Sequence, residues 1–121
     1  YPDRPIAQLG LACPTAELDR RIDRRVGQQL SDGWLAEVRA LAGRPAGLSR
    51  TARQALGYRE LLAHVEDGAP LDVAVGETKR RTRSFARRQR SWFRRDPRIA
   101  WVDADDDPLA HALQMLGEWG W

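Results

Sequence analysis

Residues 71–95 constrain the fold more than any other part of this sequence. No proline interrupts them, and their only glycine is Gly76. A helix of that length runs about 37 Å at a rise of about 1.5 Å per residue. Thr78, Thr82, Phe85, Gln89 and the pair Trp92-Phe93 recur at intervals of four, three, four and three. Arg80, Arg83, Arg87, Arg90 and Arg94 recur at three, four, three and four. Both series match the helical period. They predict one long helix with a small-and-apolar stripe and a continuous arginine ridge. Arg81, Arg88 and Arg95 follow at seven-residue intervals along an adjacent edge. Asp96-Pro97 ends the helix, because proline lacks the N–H and restricts the residue before it.

Charge is the second constraint. Lys79 to Arg98 holds ten basic residues against one acid, Asp96, so this stretch carries +9 while the rest of the chain sums to −6. The net +3 of the whole chain hides that asymmetry. Arginine is a planar fork that grips phosphate with two parallel bonds and stacks on bases. Five of them at helical spacing can track a nucleic-acid backbone, and a field this concentrated points to a polyanion. The plainer reading is a solvated face held by ion pairs. That reading needs acids at complementary spacing, and the segment itself offers Asp96 alone. Trp92 and Phe93 follow the ridge. Aromatics beside arginines suit stacking on unpaired bases. Alternatively both anchor the helix in a core, and Trp92 reads as core because most tryptophans are largely buried.

The remaining elements are shorter. Ile6 to Ala12 reads as a strand interrupted by Gly10. Thr15 reads as the N-cap of a helix over about 16–30, with Leu18, Ile22, Arg25, Val26 and Leu30 recurring at three and four. Ser31-Asp32-Gly33 marks a turn, and Trp34, Leu35, Val38 and Leu41 form a second helix stopped near Gly43. Gly43 to Ser49 is a loop. Ser49 or Thr51 caps a third helical stretch running on to Val65. Gly57 sits within that stretch, where it marks either a break or a close backbone approach. Ile99 to Val102 reads as a strand. A last helix starts with Asp107 as N-cap and Pro108 at the first position, and turns Leu109, Leu113 and Leu116 to one face. The fold class is mainly α with one or two short strands.

Length and composition set the outer bounds. The 121 residues are one domain at most, residues 1–121. No apolar run is long enough for a transmembrane helix, so no membrane partner is expected. Tyr1 to Pro5 lacks the apolar core of a signal peptide. Cys13 is alone and cannot close an internal disulfide, and no Cys/His cluster has zinc-ligand spacing. A cytoplasmic location is expected. The chain contains no Gly-x-x-x-x-Gly-Lys-Ser/Thr loop, no Gly-x-Gly-x-x-Gly turn and no Gly-x-Ser-x-Gly elbow. His64 and His111 lie far apart with no nucleophile beside them. No catalytic residue and no metal site are expected within this chain.

Three smaller features remain open on residue pattern alone. Arg21 and Arg25 lie four apart on one helical face and can converge on a phosphate, although a surface ion pair with Glu17 is the simpler reading. Tyr58 and Arg59, beside Gly57, can grip a nucleotide or serve only the local turn. Asp105 to Asp107 resemble a metal cluster, but three consecutive acids do not converge on one ion and helix capping explains them better.

Two motifs resemble a known family. Gln54-Ala55-Leu56-Gly57-Tyr58-Arg59, followed by Phe85-Ala86-Arg87-Arg88-Gln89-Arg90-Ser91-Trp92-Phe93-Arg94, is similar to the C-terminal half of bacterial tRNA dimethylallyltransferase (tRNA isopentenyltransferase). Leu18 to Arg25, Gly33 with Glu37 to Leu41, and Asp96 to Asp103 fit in the same order. The resemblance runs from about Pro5 to Asp103. It implies a place in the C-terminal part of a P-loop, nucleotide-kinase-like α/β enzyme. Such enzymes transfer a dimethylallyl group from dimethylallyl diphosphate to N6 of the adenosine just 3′ of the anticodon, with Mg²⁺ in the whole enzyme. It further implies that Arg25, with Arg21 beside it, contacts the donor diphosphate. Gln54 to Arg59 and Arg87 to Arg94 then contact the tRNA anticodon stem-loop, joined by Arg80 and Arg83 of the ridge.

The family's P-loop and its general-base aspartate belong to a segment upstream of Tyr1. The chain is therefore expected to need that N-terminal half as partner, to bind no Mg²⁺ alone and to be inactive alone. Its two strands are expected to join a sheet from that half. A stand-alone RNA-binding helical module without catalysis is the alternative. A helical domain whose ridge binds an acidic protein is a third.

Overall fold

The computed structural model describes residues 6–121. Residues 1–5, including the polar N-terminal segment and Pro5, lie outside the described residues. The order is β1 (Gln8–Ala12), α1 (Thr15–Ser31), α2 (Trp34–Ala42), α3 (Arg50–Arg53), α4 (Tyr58–Asp67), α5 (Leu71–Arg94), β2 (Ile99–Asp103) and α6 (Pro108–Glu118). The chain is mainly helical with two short strands, and the 24-residue α5 matches the segment its periodicity marks. Thr15 is already the first residue of α1 rather than its cap. Packing gathers the chain into two compact units, residues 19–86 and residues 6–18 with 87–121.

The core of the 19–86 unit is formed by Val38, Leu61 and Leu62, with Leu30, Trp34, Leu35, Leu48, Tyr58 and Val65 packed around them. Val38 on α2 and Leu61-Leu62 on α4 bring those two helices face to face, as their helical spacing requires. Ser49 caps α3, its hydroxyl accepting the Ala52 N–H at 3.1 Å. The third helical stretch breaks at Gly57, which has φ +85°. Both readings of this glycine hold. It separates α3 from α4, and its bare α-carbon lies against Trp34, whose ring atoms a β-carbon would meet at 2.0 and 2.2 Å.

In the other unit β1 and β2 pair in parallel, with Gln8 opposite Ile99 and Ala12 opposite Asp103. Gly10 interrupts the apolar pattern of β1 because Trp101 occupies the space a side chain would need. Val102 is the one apolar residue of this unit, among those described, that is fully buried. Leu9, Leu11 and Trp101 stay exposed. Parallel strands are normally covered on both faces, and a two-stranded ribbon is marginal by itself. α6 packs on β2. Asp107 caps it as expected, accepting the Ala110 N–H, and Pro108 opens it. Its apolar stripe is not buried: Leu109 and Leu113 are exposed, and only Leu116 is partly covered. A two-stranded ribbon is too narrow to cover a full helix face.

Candidate functional site

A cavity of about 450 Å³ opens inside the 19–86 unit. α1 contributes Arg25 and Gln29, α2 contributes Trp34 and Glu37, the turn before α4 contributes Leu56 and Tyr58, and α5 contributes Thr78 and Thr82. Arg25 is the one cation in this lining, and among the described residues it makes no ion pair. The Tyr58 hydroxyl donates to Glu37 at 3.0 Å. That bond, with partial burial and the Glu37 charge, raises the Tyr58 pKa, so the phenol stays protonated at neutral pH. The Trp34 ring meets Tyr58 edge to face at 6.0 Å. The threonine hydroxyls are committed to the helix backbone, Thr78 donating to the Ala74 carbonyl at 2.8 Å and Thr82 to the Thr78 carbonyl at 2.7 Å. The threonine hydroxyls are thus occupied, and Arg25 is the charged donor of this lining.

Two expected residue groups thus meet in one cavity: Arg25 from α1, and Leu56 with Tyr58 from the Gln54–Arg59 turn. Arg21 does not reach it. It lies instead with Arg24, Arg25 and Gln28 around a shallow depression on α1. Within the turn, Gly57 is buried and acts through its backbone, while Gln54, Ala55 and Arg59 are exposed.

Along α5 the arginines divide into two kinds. Arg80 is bonded to Glu77, Arg81 to Glu60, and Arg83 to Asp23 at 3.0 Å. Arg80's hydrogen bond, together with the charges of Arg80, Arg81 and Arg59, holds the Glu77 carboxyl below its ordinary range. Spacing within Lys79 to Arg98 could not reveal these acids. Glu77 lies one turn upstream, and the others are on α1 and α4. Farther along, Arg90 donates to the Thr15 hydroxyl at 2.6 Å. Arg88, Arg94 and Arg95 make no ion pair among the described residues. Gln89, Ser91, Trp92 and Phe93 are exposed in this stretch. Trp92 is 71% exposed, which corrects its reading as a core residue. It lines an apolar groove of about 930 Å³ with Phe93, Leu9, Leu11 and Trp101.

Just past α5, Arg98 clasps Asp96. Its guanidinium donates to both carboxylate oxygens at 2.8 and 2.7 Å, and its backbone N–H donates at 3.0 Å. These bonds lower the Asp96 pKa from 3.8 to about 2. The folded value lies below the unfolded one, so the clasp's contribution is complete above pH 3.8 and is lost as pH falls through about 2. An NMR titration of the Asp96 carboxyl will show a midpoint near 2. In Arg98→Ala the midpoint will return toward the ordinary carboxylate range. An unchanged midpoint in the variant would assign the shift to another group.

Glu37 and Glu60 are the functional-site neighbours that residue pattern missed. For Glu60 a signal existed: a glutamate three residues after a helix-starting residue is capping-box spacing. Nothing local distinguished Glu37, because its partner Tyr58 is 21 residues away.

Residues 2–96 match the family model described as IPP transferase, and the chain belongs to that family. Among curated proteins it is similar to the tRNA dimethylallyltransferase of Kineococcus radiotolerans, at 48% identity over 93% of this chain and 36% of that one. It is likewise similar to the tRNA dimethylallyltransferase of Salinispora arenicola, at 50% identity over 90% of this chain and 32% of that one. Among solved structures, the full-length tRNA isopentenylpyrophosphate transferase of Bacillus halodurans superposes with a TM-score of 0.79. It is 29% identical over 93% of this chain and 38% of that one. The chain spans about a third of the length of the curated relatives it matches.

Proposed function

We propose that this chain is the RNA-positioning and donor-clamping part of a tRNA dimethylallyltransferase, an enzyme of tRNA modification in the cytoplasm. In that reaction N6 of the target adenosine attacks the first carbon of the dimethylallyl group. The carbon–oxygen bond breaks and its electron pair leaves with the diphosphate. The N6 proton passes to a base supplied from outside this chain. Arg25 bears on the leaving diphosphate, where a preformed cation offsets developing negative charge. Tyr58 and the exposed turn residues face the RNA. The observation that carries this reading is the shared cavity of Arg25 and Tyr58. The uncovered parallel strands support it too, since they suit one margin of a larger sheet. Among the described residues no group of three histidine, cysteine or carboxylate side chains fits Mg²⁺.

Titrating the chain with a labelled anticodon stem-loop at two salt concentrations tests the RNA half of the reading. Binding that weakens steeply with salt is expected, and no binding at low salt overturns it. Supplied alone with stem-loop, dimethylallyl diphosphate and Mg²⁺, the chain is expected to form no prenylated RNA. Multiple turnover would show that it contains the full machinery. In the longer enzyme, Arg25→Ala is expected to lower kcat/KM for the diphosphate donor more than about tenfold, a loss of about 1.4 kcal/mol or more, and to leave stem-loop affinity within about twofold. An unchanged kcat/KM would remove Arg25 from the donor site.

A further inference from the structure

We infer that Glu60 is the positioning residue for the Gln54–Arg59 turn, acting through the Gly57 amide and tied to α5 by Arg81. The inference rests on the reading of that turn as an RNA contact. Glu60 is 5% exposed, and it is one of two buried polar residues among those described. Both of its oxygens are engaged. Oε2 accepts the Gly57 N–H at 2.9 Å, and Oε1 is paired with the Arg81 guanidinium.

The arrangement exceeds what capping alone requires. The first N–H groups of a helix lack intrahelical partners, and Gly57, as N-cap, has no side chain to offer. A solvent-exposed glutamate at the third helical position would answer that need. Here the carboxylate is buried, which is costly unless it is paired, and its partner comes from 21 residues away on the arginine-rich helix. Buried charge pairs contribute little net stability and are best attested as devices that specify one arrangement. The surroundings of this pair fit that use. Trp34 closes on the α-carbon of Gly57, Glu37 holds the Tyr58 hydroxyl, and Glu60 holds the Gly57 amide. The turn is fixed from three sides while Arg59 remains exposed and available to a ligand. Glu60 is thus one hydrogen bond from the recognition segment and touches no ligand itself.

The test compares the full chain with Glu60→Gln, Arg81→Gln and Arg81→Lys. Affinity is measured for an anticodon stem-loop and for a plain RNA duplex of equal length, and amide exchange is followed by NMR at Gly57. Wild type is expected to prefer the stem-loop. Glu60→Gln and Arg81→Gln are expected to lose about tenfold in stem-loop affinity and less than twofold on the duplex, with Gly57 exchange about tenfold faster. Arg81→Lys, which keeps the charge, is expected to recover to within about threefold. Should Glu60→Gln fail to fold, Arg81→Gln carries the test from a partly exposed position.

Faster Gly57 exchange with undiminished stem-loop affinity overturns the inference and leaves the RNA reading standing. Equal losses on both RNAs also overturn it, because general destabilisation predicts them. Wild type that binds neither RNA removes the RNA reading itself, and this inference with it.

Discussion

Gly57→Ala will destabilise the 19–86 unit by about 3 kcal/mol or more, and a thermal melt will show a fall of roughly 12 °C. Two costs add. At φ +85° an L-residue is strained by about 1–2 kcal/mol. The new β-carbon would also lie 2.0 Å from the Trp34 ring, and forced overpacking of a fitted site costs about 1–3 kcal/mol. Gly68→Ala separates the two terms. Gly68 has φ +74°, but nothing lies within 4 Å of where its β-carbon would stand, so only the strain term of about 1–2 kcal/mol applies. If the two variants melt within about 2 °C of each other, the close approach of Trp34 is not a constraint.

Arg88→Glu with Arg94→Glu will flatten the salt dependence of stem-loop binding. Each phosphate contact contributes about 0.7 to 0.9 to the slope of log affinity against log salt, so the double variant should reduce that slope by roughly 1.4–1.8. Both side chains are exposed and free of ion pairs among the described residues, so the melt should move little. Arg83→Glu will behave differently. It sets a second carboxylate against Asp23, now 3.0 Å from the Arg83 guanidinium, and should lower the melting temperature as well as affinity. An unchanged slope in the double variant would move the phosphate contacts off the far half of α5.

Much of this division was hidden in the sequence for a definite reason. Helical spacing shows which arginines share a face, and it located α5 almost to the residue. It says nothing of the acids that other elements bring to that face. Asp23 and Glu60 lie 60 and 21 residues from their partners, and they tie Arg83 of the ridge and Arg81 of the adjacent edge into internal ion pairs. Trp92 was misread for a related reason. Aromatic burial is a statistical tendency of a residue type, while exposure depends on whether another element arrives to cover the ring.

What the sequence alone determined is local or periodic. The long helix, its cationic ridge, the Asp107 cap and the family motifs follow from residue pattern, whereas the choice of Ser49 over Thr51 as cap and the break at Gly57 came from the structure. The tertiary structure decided the rest. It set the parallel pairing of β1 with β2, the single cavity shared by Arg25 and Tyr58, and the burial of Glu60 between the Gly57 amide and Arg81. These features join groups far apart in the chain. Local propensity does not encode such distances; within residues 19–86 they are set when the unit packs around Val38, Leu61 and Leu62.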